Sequence, residues 1–342
     1  MERGRRDCVR WMSAGLLGLL GASSIRAAEG GPRLIRLNLP GPRSLPFLPL
    51  QLIPRLGFDR ELGVRLQLRH FASGVLAAED MLAGNAGFAA HGFPILASLR
   101  AKGKSAVAVA ALSGRDTPRA LLVRTDLASR IKRVEDLMGA SIGVSTGSVS
   151  SKTYMQLHGE QVLDLHGIAA DDVRWVPMAQ NWDSVRSVLV SKSADAVLCE
   201  EPFLSRAVEA GLARVLLHFN ELQGPGRLPG AGHLRAVISV PHASIGHAER
   251  DGRALLQMLG KVLAWMAAAG AGRIVEQMGI EAATERAELA RLLSRYPDLF
   301  PRDPRFDPAA VAATATLLVA LDLLKQRDAI RGLFDERWAG RP

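Results

Sequence analysis

From Arg33 onward, short aliphatic runs alternate with stretches in which apolar side chains recur every three or four positions. Residues 34–39, 64–70, 88–91 and 106–112 read as strands. Residues 75–83 read as a short amphipathic helix, with Val75, Leu76, Met81 and Leu82 apolar around Glu79 and Asp80. Such alternation predicts an α/β sheet with helices on both faces.

A second series of the same kind follows Pro118, with strands expected over 120–123, 141–144, 173–177, 196–198 and 215–219. Shifting the numbering by 108 lays Phe71-Ala72-Ser73-Gly74 on Ala179-Gln180-Asn181-Trp182, and the segment 88–94 on 196–202. Identities are few, but each half then has a strand, a polar turn opening a helix, a second strand and a loop ending in proline (Pro94, Pro202), which predicts a structural duplication. The stretch 226–232, rich in glycine and proline, leads to a return strand over 235–240. The expected plan is a discontinuous lobe I, 33–115 with 235–342, and a lobe II over 118–232. After Ala243 the chain reads as helical almost to its end. Leu255, Leu256, Leu259, Val262, Leu263 and Met266 form one buried stripe, and Trp265 and Trp338 are expected to pack with it.

The first 28 residues have another character. Arg3, Arg5, Arg6 and Arg10 precede a short apolar run over 11–21, and Ile25-Arg26-Ala27-Ala28 offers small residues for cleavage, so 1–28 reads as a signal peptide. Arg5-Arg6-Asp7-Cys8-Val9-Arg10 resembles a twin-arginine export signal. Cys8 precedes the apolar run, where a lipoprotein cysteine would follow it. No later run of spanning length is expected, so the mature product reads as exported, soluble and periplasmic.

Composition narrows the function. A chain of 342 residues with 48% hydrophobic and 23% charged positions supports two lobes with buried cores. The net charge of +9 is partly held in the leader, and no basic and aromatic stripe of the nucleic-acid kind stands out. Cys8 and Cys199 allow no zinc cluster of cysteines, and with Cys8 removed no internal disulfide. No Walker-type or G-x-G-x-x-G motif occurs, and the expectation is a binding protein without cofactor or metal, not an enzyme.

In open α/β sheets ligands bind beyond the carboxyl ends of strands, and that rule selects the candidate loops. Ser145, Thr146, Gly147 and Ser148, in a serine-rich loop running to Ser151, follow a strand and precede a helix. They read as a cradle for an anionic group, or, more simply, Ser148 or Ser150 caps the helix. In the first half, Ser73 and Gly74 open a helix after Phe71, and Ser44 and Phe47 follow the first strand. Trp182 is a candidate for stacking on a ligand, while Asn181 or Asp183 contacts it or caps the helix. His91 donates either to a ligand or to a nearby carbonyl. Of the pair Glu200-Glu201, one carboxylate pairs with a base such as Arg206, or contacts a ligand amine, or both face water; Glu201 is the candidate contact.

Several stretches carry a family resemblance: Gly57-Phe58-Asp59-Arg60-Glu61-Leu62-Gly63-Val64, the segment 83–94, Val134-Glu135-Asp136-Leu137-Met138-Gly139 leading to Ile142-Gly143-Val144, and Ala194-Asp195-Ala196 leading to Glu201-Pro202. Over about residues 33–335 the chain resembles the nitrate, sulfonate and taurine substrate-binding proteins of ABC importers, a family that includes binders of thiamine-pyrimidine precursors. The resemblance implies a type II periplasmic-binding-protein fold: two lobes, each a mixed sheet flanked by helices, joined by a hinge of two crossover strands. It also implies a monomer that closes on a small organic anion or oxyanion and docks on an ABC permease. The alternative is an enzyme of the thiamine-pyrimidine synthase type on that fold, or a ligand-sensing domain. The chain departs from the family at Gly87, where an acidic residue is usual, and in the apolar loop Ser44-Leu45-Pro46-Phe47. No arginine stands out in the sequence as the holder of an oxyanion.

Overall fold

The computed structural model describes residues 31–42, 44–113, 118–148, 151–222, 229–230 and 232–339. The expected signal peptide, 1–28, lies outside the described residues, as do Val149 and Ser150 of the serine-rich loop.

The first sheet is built from β1 (Arg33–Pro40), β2 (Val64–Phe71), β3 (Phe88–Gly92), β4 (Ala106–Ala111) and a strand from far along the chain, β10 (Ala236–Pro241). The second holds β5 (Arg119–Arg124), β6 (Ser141–Ser145), β7 (Arg174–Met178), β8 (Ala196–Glu200) and β9 (Ala213–His218). Their strand orders are β2-β1-β3-β10-β4 and β7-β6-β8-β5-β9. In each, four strands run in one direction and the fourth position is taken by the antiparallel strand, β10 or β5, that enters directly after the chain has crossed from the other sheet. Both sheets are therefore mixed, as expected.

The spacing of 108 recurs in the coordinates. The helix α2 (Gly74–Leu82) matches α5 (Trp182–Val190), and β3 matches β8. The residue before each helix caps it: Ser73 Oγ accepts from the Leu76 amide at 3.4 Å, and Asn181 Oδ1 accepts from the Ser184 amide at 2.9 Å. Two different residues serve because each places an acceptor over the orphan amides of a first turn.

Helices α1 (Leu48–Leu56) and α7 (Glu249–Gln277) cover one face of the first sheet, with α8 (Ala283–Arg295) packed on α7. The helices α2, α3 (Pro94–Arg100) and α9 (Pro308–Ala320) cover the other face. On the second sheet, α4 (Tyr154–Leu165) lies on one face, and α5 and α6 (Phe203–Glu209) on the other.

Two expectations change here. By length and composition α7 is apolar enough to cross a membrane, contrary to the expectation that no later run would be. Its backbone breaks at Gly270 (φ 73°), and Leu255, Leu259, Val262 and Leu263 are buried in the core of the first lobe. The C-terminus is also less helical than its composition suggested. After α9 it forms a 3-10 turn and then pairs with β4, where Phe334 bridges Ala108. Trp338 packs edge-on against Phe88, at 6.2 Å between rings, in the packing role expected of it.

Candidate ligand site between the lobes

The carboxyl ends of β1 and β3 face those of β6 and β8, and the two lobes meet there along a buried polar seam. Ser44, fully buried after β1, donates from Oγ to Glu200 Oε1 at 3.3 Å and accepts from Gln180 Nε2 at 3.2 Å. Gln180 also donates to Glu200, and Arg235 forms an ion pair with the other Glu200 oxygen. Arg235 and Glu200 are both about 2% exposed. Among the described residues, the remaining space at this point is about 20 Å³, walled by Phe47, Gly74, Gly92, Ser145, Tyr154 and Gln180. That is room for about one water molecule.

A second arginine stands at the matching place in the other crossing strand. Arg119 begins β5 in register with Glu200, as Arg235 immediately precedes β10, and both guanidinium groups lie over the Tyr154 ring, at 5.1 and 3.9 Å. Beneath them the Tyr154 hydroxyl and His233 Nε2 share a hydrogen bond at 2.7 Å, and His233 donates from Nδ1 to the Gly230 carbonyl at 2.8 Å. His158 stacks on His233 at 5.0 Å; its burial, with the fields of Arg119, His233 and Arg235, holds its pKa well below the ordinary histidine value. The seam thus brings two buried guanidinium groups together, with Arg235 paired to Glu200. A guanidinium held by a carboxylate in this way can also hold another anion of the same geometry.

The sequence reasoning missed both arginines. Their signal was present as a repeated pattern, Arg119-Ala120-Leu121-Leu122-Val123 and Arg235-Ala236-Val237-Ile238, in which each arginine leads a crossover strand. Tyr154, His158, His233 and Gln180 carried no such signal.

The residues singled out in the sequence are distributed as follows. Ser44, Phe47, Gly74 and Ser145 border the seam. Ser145 Oγ donates to Thr153 Oγ1 at 3.1 Å, and Thr146 Oγ1 to the Met178 carbonyl at 3.0 Å. Gly147 makes a tight turn in which a Cβ would lie 2.6 Å from the Ser151 carbonyl oxygen. Ser148 reaches across to the first lobe and donates to Glu79 Oε1 at 2.9 Å. The cap of α4 is Thr153, which accepts from the Gln156 amide at 3.2 Å, rather than Ser148 or Ser150. Ser73 is occupied as a cap, and Phe71 lies under Arg69 at 5.4 Å, outside the seam lining. His91 points into the first lobe, bonded to the Gly92 carbonyl at 3.0 Å and to Ser239 Oγ at 2.7 Å; burial lowers its pKa to about 4. Glu201 is buried and accepts from the amide and hydroxyl of Ser205 at 3.1 and 2.8 Å, with its carboxyl pushed up by burial. Neighbouring Cys199 is a buried thiol whose pKa is raised by burial and by Glu200 and Glu201, which disfavours a thiolate there.

Asn181 and Trp182 border a second, roomier space beside the seam, of about 190 Å³. Leu45 and Leu48 of the first lobe and Phe203 of the second wall it. Across it Arg206 of α6 is held by Glu285 at 3.0 Å and Glu288 at 2.6 Å, both on α8. Arg206, rather than being the partner of Glu200 or Glu201, therefore ties the two lobes together.

Residues 47–214 match the family described as NMT1/THI5 like. The chain carries an NMT1/THI5-like domain. In fold the chain is similar to a protein of Bordetella bronchiseptica RB50, at 19% identity over 90% of this chain and 95% of that one, with a TM-score of 0.75. It is also similar to the alkanesulfonate-binding protein SsuA of Xanthomonas axonopodis pv. citri, solved with MOPS bound (18%, 90% and 99%, 0.66). A third likeness is to the periplasmic nitrate-binding protein NrtA of Synechocystis PCC 6803 (12%, 89% and 86%, 0.66). The desulfurization enzyme DSZB shares the architecture as well (18%, 90% and 97%, 0.55). No curated protein sequence matches the chain. The domain and the fold together support the nitrate-, sulfonate- and taurine-type relationship read from the sequence.

Proposed function

We propose that this protein is the periplasmic solute-binding component of an ABC importer, working as a monomer that closes on a small organic anion or oxyanion and presents it to a membrane permease. One observation carries the reading: two buried arginines, Arg119 and Arg235, lead the two strands that cross between lobes and lie over the Tyr154 ring at the seam, where Arg235 is paired with Glu200. A sulfonate, nitrate or carboxylate entering an opened seam would take the place of Glu200 on Arg235, with Ser44 and Gln180 supplying donors from opposite lobes. The sulfonate- and nitrate-binding proteins on the same fold support this solute class. The division into lobe I (33–115 and 235–342) and lobe II (118–232) is the unit of motion in this reading, and the leader 1–28 is the export signal.

A thermal-shift and calorimetric panel of alkanesulfonates, taurine, nitrate and aromatic carboxylates tests it, because a ligand specific to the native state raises the melting temperature. The expected result is saturable binding of at least one anion, lost in Arg235→Gln. Turnover of a panel member, or an anion response unchanged in Arg235→Gln, would sink the proposal.

A further inference from the structure

The space of about 190 Å³ beside the seam has chemistry of its own. It exceeds the cavity of about 150 Å³ that holds benzene in an engineered apolar core. Glu288, 5% exposed, is the decisive residue. Its Oε2 is bound to Arg206, while its Oε1 is buried without a hydrogen-bond partner among the described residues. A buried carboxylate oxygen left without a donor is costly, and a charged N–H donor is the strongest remedy. The charged side chains lining the space are three carboxylates, Asp183, Glu285 and Glu288, and one guanidinium, Arg206, among the described residues. The Trp182 indole and the Phe203 ring add aromatic surface, on which cations and flat apolar bodies both rest well.

We propose that this cavity is a binding site for a small organic ammonium ion, a protonated amine on an aromatic or branched apolar body, whose N–H groups donate to Glu288 Oε1. A carboxylate of the same size would face Glu288 Oε1 with no proton to donate, and a neutral isostere would supply a weaker donor. The wall combines Trp182 and Phe203 of the second lobe with Leu45 and Glu288 of the first, so an occupant bridges the lobes and favours their closed arrangement. This site is separate from the anion position at Arg235 and stands or falls independently of it.

Benzylamine, benzyl alcohol and benzoate are nearly equal in size and differ in charge, so calorimetry with the three on the whole protein isolates the ammonium. Burial raises the Glu288 carboxyl above its ordinary value, so the titrations belong in mildly alkaline buffer that keeps it ionised and the amine protonated. Benzylamine is expected to bind one per chain, about tenfold or more tighter than either isostere. Glu288→Gln is expected to remove that preference. Leu289→Phe, which fills the same cavity and keeps every charge, should weaken benzylamine should Glu288→Gln fail to fold. No benzylamine binding at millimolar concentration, equal binding of benzoate or benzyl alcohol, or benzylamine affinity unchanged in the folded variants would each overturn the assignment. A sulfonate response that persists while benzylamine fails removes this site alone. Benzylamine binding without any anion response removes the solute proposal alone.

Discussion

The Gln180 amide donates to the Ala72 carbonyl oxygen at 3.0 Å, one lobe bonding to the other through residues that hold the same place in the two halves. Each lies just before the cap of the helix that follows β2 or β7, so the duplication closes on itself at this contact. Gly41 fits against the same turn: a Cβ on it would lie 2.6 Å from the Gln180 carbonyl oxygen, closer than real Cβ atoms approach backbone.

Gly41→Ala should therefore wedge the lobes apart while sparing each sheet. Small-angle scattering is expected to show a larger radius of gyration than wild type, with circular dichroism unchanged. An unaltered scattering curve would mean that the turn yields without opening the seam.

Glu200→Gln leaves the Arg235 guanidinium buried without its counter-charge. Breaking a buried pair from one side costs about 3–5 kcal/mol. The melting temperature should fall, and added sulfonate or nitrate should restore more of it than the same anion adds to wild type. A variant as stable as wild type and indifferent to anions would show that Arg235 does not govern this position.

His91 makes stability depend on pH. Burial lowers its pKa from 6.5 to about 4, so the unfolded chain takes up the proton first as pH falls. The stability present above pH 6.5 is lost progressively down to about 4, by an amount on the order of 3 kcal/mol. His158 acts in the same direction, whereas the raised carboxyls of Glu201 and Glu288 act in the opposite one. Urea unfolding of wild type and His91→Gln at neutral and acidic pH isolates the His91 contribution, and the variant should show the shallower acid loss. Parallel profiles would show that His91 does not titrate in this range.

Ser148 donates to Glu79, which Lys104 also holds at 3.2 Å. Ser148→Asp sets two carboxylates face to face across the seam, so solute affinity should fall through weaker closure, more severely at low salt. Ser148→Ala removes the hydrogen bond to Glu79, worth about 1 kcal/mol, without adding a charge, and should cost less than Ser148→Asp. Equal affinities for the two variants would show that charge at this contact does not matter.

Gly252→Ala tests the C-terminal packing. A Cβ there would meet the Trp338 ring at 2.2 to 2.5 Å, and overpacking of this kind costs about 1–3 kcal/mol. Unfolding should shift to lower denaturant with ligand affinity kept, and an unshifted midpoint would show that Trp338 moves freely.

By itself the sequence determined the alternation of strands and helices, the spacing of 108, the helix caps at Ser73 and Asn181, and the apolar stripe of α7, because each depends on neighbours within a few positions. It also singled out Ser44, Gly74, Ser145 and Trp182, since ligands gather at strand ends. Only the tertiary structure decided which side chains meet across the lobes. Arg119 and Arg235 are remote in sequence and converge on Tyr154 because the chain crosses twice between sheets. His91 turned into the core, and the hydroxyls of Ser145, Thr146 and Ser148 found internal partners. Those outcomes rest on long-range packing and on which buried charge reaches which counter-charge, and local pattern does not encode such distances.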